Sequence, residues 1–180
     1  MTAASTPAAV HALSGLLAVV VACAAWKDAR TGKIPNLVTF PAMLVFVAAH
    51  AVLGGLDGLL FSLAGLGAGL TFLLIPHLFG YLGAGDVKLM AVVGAALGIS
   101  ALLTVFLFTS IAGGGLILGH LALSHRAAPP AEPSGDSPDA APPPAPRTGA
   151  RRVRYGVAIA LGTVAAMAWR LAGRDYIAFF

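Results

Sequence analysis

The chain has 180 residues, of which 58% are hydrophobic and only 10% charged, with a mean hydropathy of +0.89 and a formal net charge of +4. Soluble domains carry about a quarter charged residues, so this composition excludes a sizeable soluble domain, and apolar runs near the ~20 residues needed to cross hydrocarbon predict a membrane protein. The basic residues lie in short stretches between those runs, a pattern that membrane orientation explains and nucleic-acid binding does not.

The expectation is an all-α, polytopic membrane protein of about six transmembrane helices, forming one domain over residues 1–180. Residues 1–9 are small and polar, and the first span is predicted over 10–26. No Lys or Arg precedes it, whereas Lys27, Arg30 and Lys33 follow, which argues against a secretory signal peptide and for an amino end outside. The single cysteine, Cys23, rules out an intrachain disulfide framework and a multi-cysteine zinc site, and reads as small apolar packing. Asp28 falls just past Trp26, an aromatic suited to the membrane interface. The next stretch, TGKIPN over 31–36, predicts a tight turn: Gly32 permits it, Pro35 holds Ile34 extended, and Asn36 is placed to cap a helix from Leu37.

A second span is predicted over 37–53, then an outer turn at 54–58 carrying a solvated Asp57, and a third span over 59–79 with Gly65 and Gly69 in GxxxG spacing. His77, near its inner end, reads as an interfacial histidine rather than a catalytic one. Residues 88–123 are 36 in number, and at ~1.5 Å each they are too long for one crossing. They must reverse, best at 98–100, giving spans over 87–99 and 101–123, with further close-packing pairs at Gly94 and Gly98 and at Gly115 and Gly119. Residues 126–150 hold eight prolines and read as a solvated linker before a last span over 155–171.

With the amino end outside, this alternation puts nine Lys and Arg residues (27, 30, 33, 88, 126, 147, 151, 152, 154) on the inner side and two (170, 174) on the outer. It also brings Asp28 and Asp86 to the same inner face, although two spans separate them. An ionisable residue at membrane depth costs about 2.5–3.5 kcal/mol on insertion scales and ordinarily lines a cavity or works with a partner. Two carboxylates that meet share a proton: the ionised one can take a proton from an attacking water while the other donates to a carbonyl oxygen. That is peptide hydrolysis without metal or covalent intermediate. In GAGDVKLM, residues 83–90, Gly83 and Gly85 are expected to permit positive φ and leave room for a substrate backbone, and Asp86 to sit at a helix start. Lys88 is expected to point away from Asp86, towards headgroups or substrate.

Asp28 with Arg30 and the IPN of 34–36, followed two spans later by GAGDVKLM, resembles the type IV prepilin leader peptidases, polytopic aspartic proteases that share the GxGD motif with the presenilin class. The resemblance covers about residues 10–123. It implies that Asp28 and Asp86 are the catalytic pair, with Gly83, Gly85, Lys88, Arg30, Pro35 and Asn36 as supporting or substrate-binding residues. It further implies a pilin-like precursor as substrate, cleaved at the cytoplasmic face of the plasma membrane, with the lipid bilayer as the other partner, no nucleic acid, no metal and no cofactor. The larger members also methylate their product and carry a cysteine quartet; this chain resembles the short, peptidase-only members. The GxxxG faces leave a homodimer open. Rival readings are a small carboxylate-dependent transporter and a non-catalytic assembly subunit.

Overall fold

The computed structural model describes residues 7–80, 82–126 and 155–177, and these are all-helical, with no strand among them. Helix α1 spans Pro7–Thr31, α2 Asn36–Leu78, α3 Ala84–Leu97, α4 Ile99–Arg126 and α5 Tyr155–Leu171. The proline-rich stretch, apart from Arg126, and the basic residues at 147, 151, 152 and 154 lie outside the described residues.

Helix α1 runs five residues beyond the span expected from hydropathy, so Asp28 lies within its last turns rather than past its end. Lysine, alanine and arginine continue a helix readily, and the chain stops only at Gly32. There φ is +65°, and the Gly32 amide donates to the Asp28 carbonyl at 2.8 Å, the single-bond left-handed cap for which glycine is favoured. Leu17, Val21, Ala24 and Asp28 are all buried at spacings of four, three and four residues, so the carboxylate continues the apolar stripe that faces the bundle. Cys23 lies off that stripe and is exposed, not packed as expected.

Helix α2 has 43 residues but is not straight: Gly55 has φ 60° and ψ −138°, outside helical values. The arms on either side fold back on one another. A Cβ on Gly58 would stand 2.0 Å from the His50 carbonyl oxygen, and the His50 and Phe61 rings lie 5.2 Å apart, contacts that a straight helix would keep ~12–16 Å apart. The predicted turn at 54–58 is thus compressed to one glycine, with Asp57 exposed beside it.

The second arm of α2 packs antiparallel on α3 through the predicted close-packing glycines. A Cβ on Gly65 would lie 2.0 Å from the Gly94 carbonyl oxygen, one on Gly94 2.1 Å from that of Gly65, and one on Gly69 2.5 Å from that of Met90. The Ser62 hydroxyl closes the same seam by donating to the Ala95 carbonyl at 2.8 Å. Residues Leu89–Ala96 of α3 are all buried, which makes this short helix the centre of the bundle. The reversal expected at 98–100 falls at Gly98, φ +79°. Gly115 and Gly119, by contrast, would meet nothing within 4 Å.

Helix α5 packs on α4 and α1, with Gly162 against Thr109. The segment after it returns to α4, where the Ile177 amide donates to the Thr104 hydroxyl at 2.8 Å. Arg170 pairs with Asp175, and the Trp169 indole donates to the Asp175 carbonyl. The bundle therefore has two ends: residues 28–36, 82–88 and 155–156 gather at one, and residues 50–61, 94–104 and 171–177 at the other.

By length and hydropathy three of the described helices can cross a membrane, namely Ala8–Thr31, Asn36–Leu78 and Ile99–Gly119; Tyr155–Leu171 is a shorter apolar helix. The expected six spans are not reached by that measure, because α2 counts once despite its bend and α3 has only 14 residues.

The glycine seam generates a stability prediction. Gly94→Ala inserts a methyl against a backbone carbonyl and should cost about 1–3 kcal/mol or more, lowering the thermal unfolding midpoint in detergent, whereas Gly15→Ala, mid-helix with nothing within 4 Å, should leave it unchanged or raise it. Equal midpoints would contradict the packing described.

Candidate functional site

Asp28 and Asp86 line one cavity of about 260 Å³. They reach it from opposite chemical positions. Asp86 is the third residue of α3, and its Oδ2 accepts from the Gly83 amide at 3.0 Å, the carboxylate half of a capping box. The positive end of the α3 dipole favours that anion by about 0.3–1 kcal/mol. Asp28 stands in the last turns of α1, where the helix end disfavours an anion. Its Oδ2 instead accepts from the Gly156 amide at 3.0 Å, at the start of α5. Both carboxylates are buried, at 5% and 9% exposure, so the backbone amide on each offsets part of the cost of removing it from water.

The remaining lining comes from Gly32, Lys33, Ile34, Asn36, Gly83, Ala84, Gly85 and Lys88. The Lys88 ammonium donates to Asn36 Oδ1 at 2.8 Å and lies 5.1 Å from the centre of the Phe40 ring. This bond corrects the role expected of Asn36. Pro35, with φ −71° and ψ 142°, is the residue before α2, and no side chain caps that helix; the Asn36 amide oxygen is taken up by Lys88. Pro35 and Asn36 also border a second, more open cavity of about 420 Å³ with Lys27, Thr31, Lys33 and Ile34.

The two glycines of GAGD act differently from expectation. Neither has positive φ: Gly83 is extended at φ −78°, and Gly85 is not among the positive-φ glycines. The space beside Gly85 is not open to a substrate either, since a Cβ there would lie 2.9 Å from Ile34 Cβ. The α1–α2 loop occupies it. Arg30 does not line the cavity; its guanidinium stacks on Trp26, 4.2 Å from the ring centre. His77 bonds the Leu82 carbonyl at 2.8 Å and so braces the chain leading into α3.

Gly156 and Ile34 are the residues that sequence reasoning missed. Ile34 is buried between Gly85 and Gly156, its Cδ1 2.9 Å from where a Cβ on Gly156 would stand. The IPN stretch pointed to this loop but as a turn rather than a wedge. Nothing in spacing links Gly156 to Asp28, 128 residues away. The stripe of 17, 21, 24 and 28 was the available signal that Asp28 faces inward.

The fold and site define a helical membrane protein with two buried acids in one cavity. The profile of the type IV leader peptidase family matches residues 15–118, more than half of the chain, and the protein belongs to that family of proteases. No curated protein and no solved structure matches the chain.

Ile34→Ala removes the wedge between the two glycine backbones and should cost about 2–5 kcal/mol, read as a lowered unfolding midpoint in detergent. An unchanged midpoint would show that the loop does not hold α3 and α5 together.

Proposed function

We propose that this protein is an aspartic endopeptidase of the plasma membrane that removes the short basic leader from type IV pilin-like precursors at the cytoplasmic face. The observation that supports this reading is the presence of Asp28 and Asp86 in a single cavity, brought there from α1 and α3. The pair holds one proton. The ionised carboxylate takes a proton from a water whose oxygen adds to the scissile carbonyl carbon, while the protonated carboxyl donates to the carbonyl oxygen. Collapse of the tetrahedral intermediate returns that oxygen's proton to one carboxylate, breaks the C–N bond, and passes the water-derived proton to the leaving amine. The products are a carboxylate on the leader and a free amine on the mature chain, and no methyl transfer is involved.

In this reading the two arms of α2 cross separately, six crossings in all, with the amino end outside. The end of the bundle that holds both acids then lies at the inner leaflet, where Lys27, Arg30, Lys33 and Lys88 also gather, as positive-inside orientation requires. The apolar helix of the precursor stays in the lipid and its extended junction reaches the cavity laterally. The negative pair attracts the leader's basic residues.

Asp28→Ala and Asp86→Ala should each reduce processing by about 10²-fold or more while the protein still inserts and accumulates. The assay is cleavage of a synthetic precursor, with a basic leader, a glycine junction and an apolar helix, by purified protein in liposomes. Full cleavage by either variant would remove the dyad. Proton flux without peptide, or binding of the precursor without cutting, would instead favour a transporter or an assembly subunit.

A further inference from the structure

We propose that Gly156 is a positioning residue for Asp28, so that α5, which lies beyond the residues matching the family profile, is part of the peptidase site; this rests on the dyad reading above. The position meets two requirements at once. Its amide donates to Asp28 Oδ2 at 3.0 Å, and any side chain there would displace the acid or its neighbour: a Cβ would stand 2.9 Å from that same Oδ2, 3.1 Å from Asp28 Cβ and 2.9 Å from Ile34 Cδ1. Gly156 is itself buried.

The two acids consequently differ in what holds them. Asp86 takes its amide from Gly83, three residues away on its own helix start, and its placement is intrinsic to α3. Asp28 lies at the wrong end of α1 for an anion and takes its amide from another helix. Aligning the pair therefore requires α5 to be seated against α1. The contact also runs through the wedge, since Ile34 touches the space beside both Gly156 and Gly85, so a shift at residue 156 reaches both halves of the site.

A merely structural glycine on the same helix provides the comparison. A Cβ on Gly162 would lie 2.2 Å from Thr109 Oγ1 and 2.5 Å from the Thr109 nitrogen, and neither acid is among the three atoms nearest to it. Full-length wild type, G156A and G162A are purified and compared by precursor cleavage, by unfolding midpoint, and by the ¹³C carboxyl resonance of Asp28, assigned through its loss in D28N. Displacing a reacting group by ~1 Å can cost 10²-fold. G156A is expected to lower kcat by about 10–10²-fold with KM nearly unchanged and to move the Asp28 resonance; G162A is expected to lower the midpoint without moving that resonance. The proposal is overturned if G156A keeps wild-type kcat, if its resonance stays in place, or if both variants lose activity only in proportion to their loss of stability. Cleavage by D28N at the wild-type rate would remove the dyad reading instead, a result recognisable because the resonance reports the Gly156 contact independently of turnover.

Discussion

A buried carboxylate persists only when something replaces the water it has lost, and in this protein backbone amides at two helix starts contribute to that role. Gly83 serves Asp86 and Gly156 serves Asp28. Most of the architecture follows from bringing those two amides to one end of the bundle. Helix α1 must run on to Thr31 so that Asp28 continues its buried stripe, the α1–α2 loop must be short, and α5 must begin where α1 ends.

Glycine makes the approach of the helices close enough. At Gly65, Gly69 and Gly94 the seam between α2 and α3 is backbone against backbone, which fixes the depth and rotation of α3 and hence the direction of Asp86. In lipid, where apolar side chains gain little from leaving their solvent, such van der Waals contact and buried hydrogen bonds like that of Ser62 carry the association. Ile34 then joins the elements at the acid-bearing end, filling the space that Gly85 and Gly156 leave. The site is built by three helices and one loop, each contributing a position rather than a cluster of reactive side chains.

Much of this was legible in the sequence. Composition gave the class, apolar runs gave the order of the helices, Gly98 marked the reversal before α4, and the two acids stood out because hydrocarbon makes a charge costly. What escaped were features that hydropathy does not encode. The end of α1 is decided by the left-handed Gly32 and not by the last apolar residue; Asn36 looked like a helix cap but bonds Lys88 across 52 residues; Gly85 looked like room for substrate but holds Ile34. Gly156 lay in a run of small residues at the start of an ordinary span, and only the fold connects it with Asp28. Local pattern reports helices and turns, whereas contacts between distant residues depend on rotation of each helix about its axis.

The central claim is that α1 and α3 deliver their two acids to one cavity, and thiol cross-linking measures it most directly. In a C23A background, D28C/D86C is treated with a short bifunctional thiol reagent and then cleaved within the intervening chain. The account predicts that the two fragments stay joined in the double variant and separate in each single one; fragments that separate although both thiols react fully with a small monofunctional reagent would contradict it.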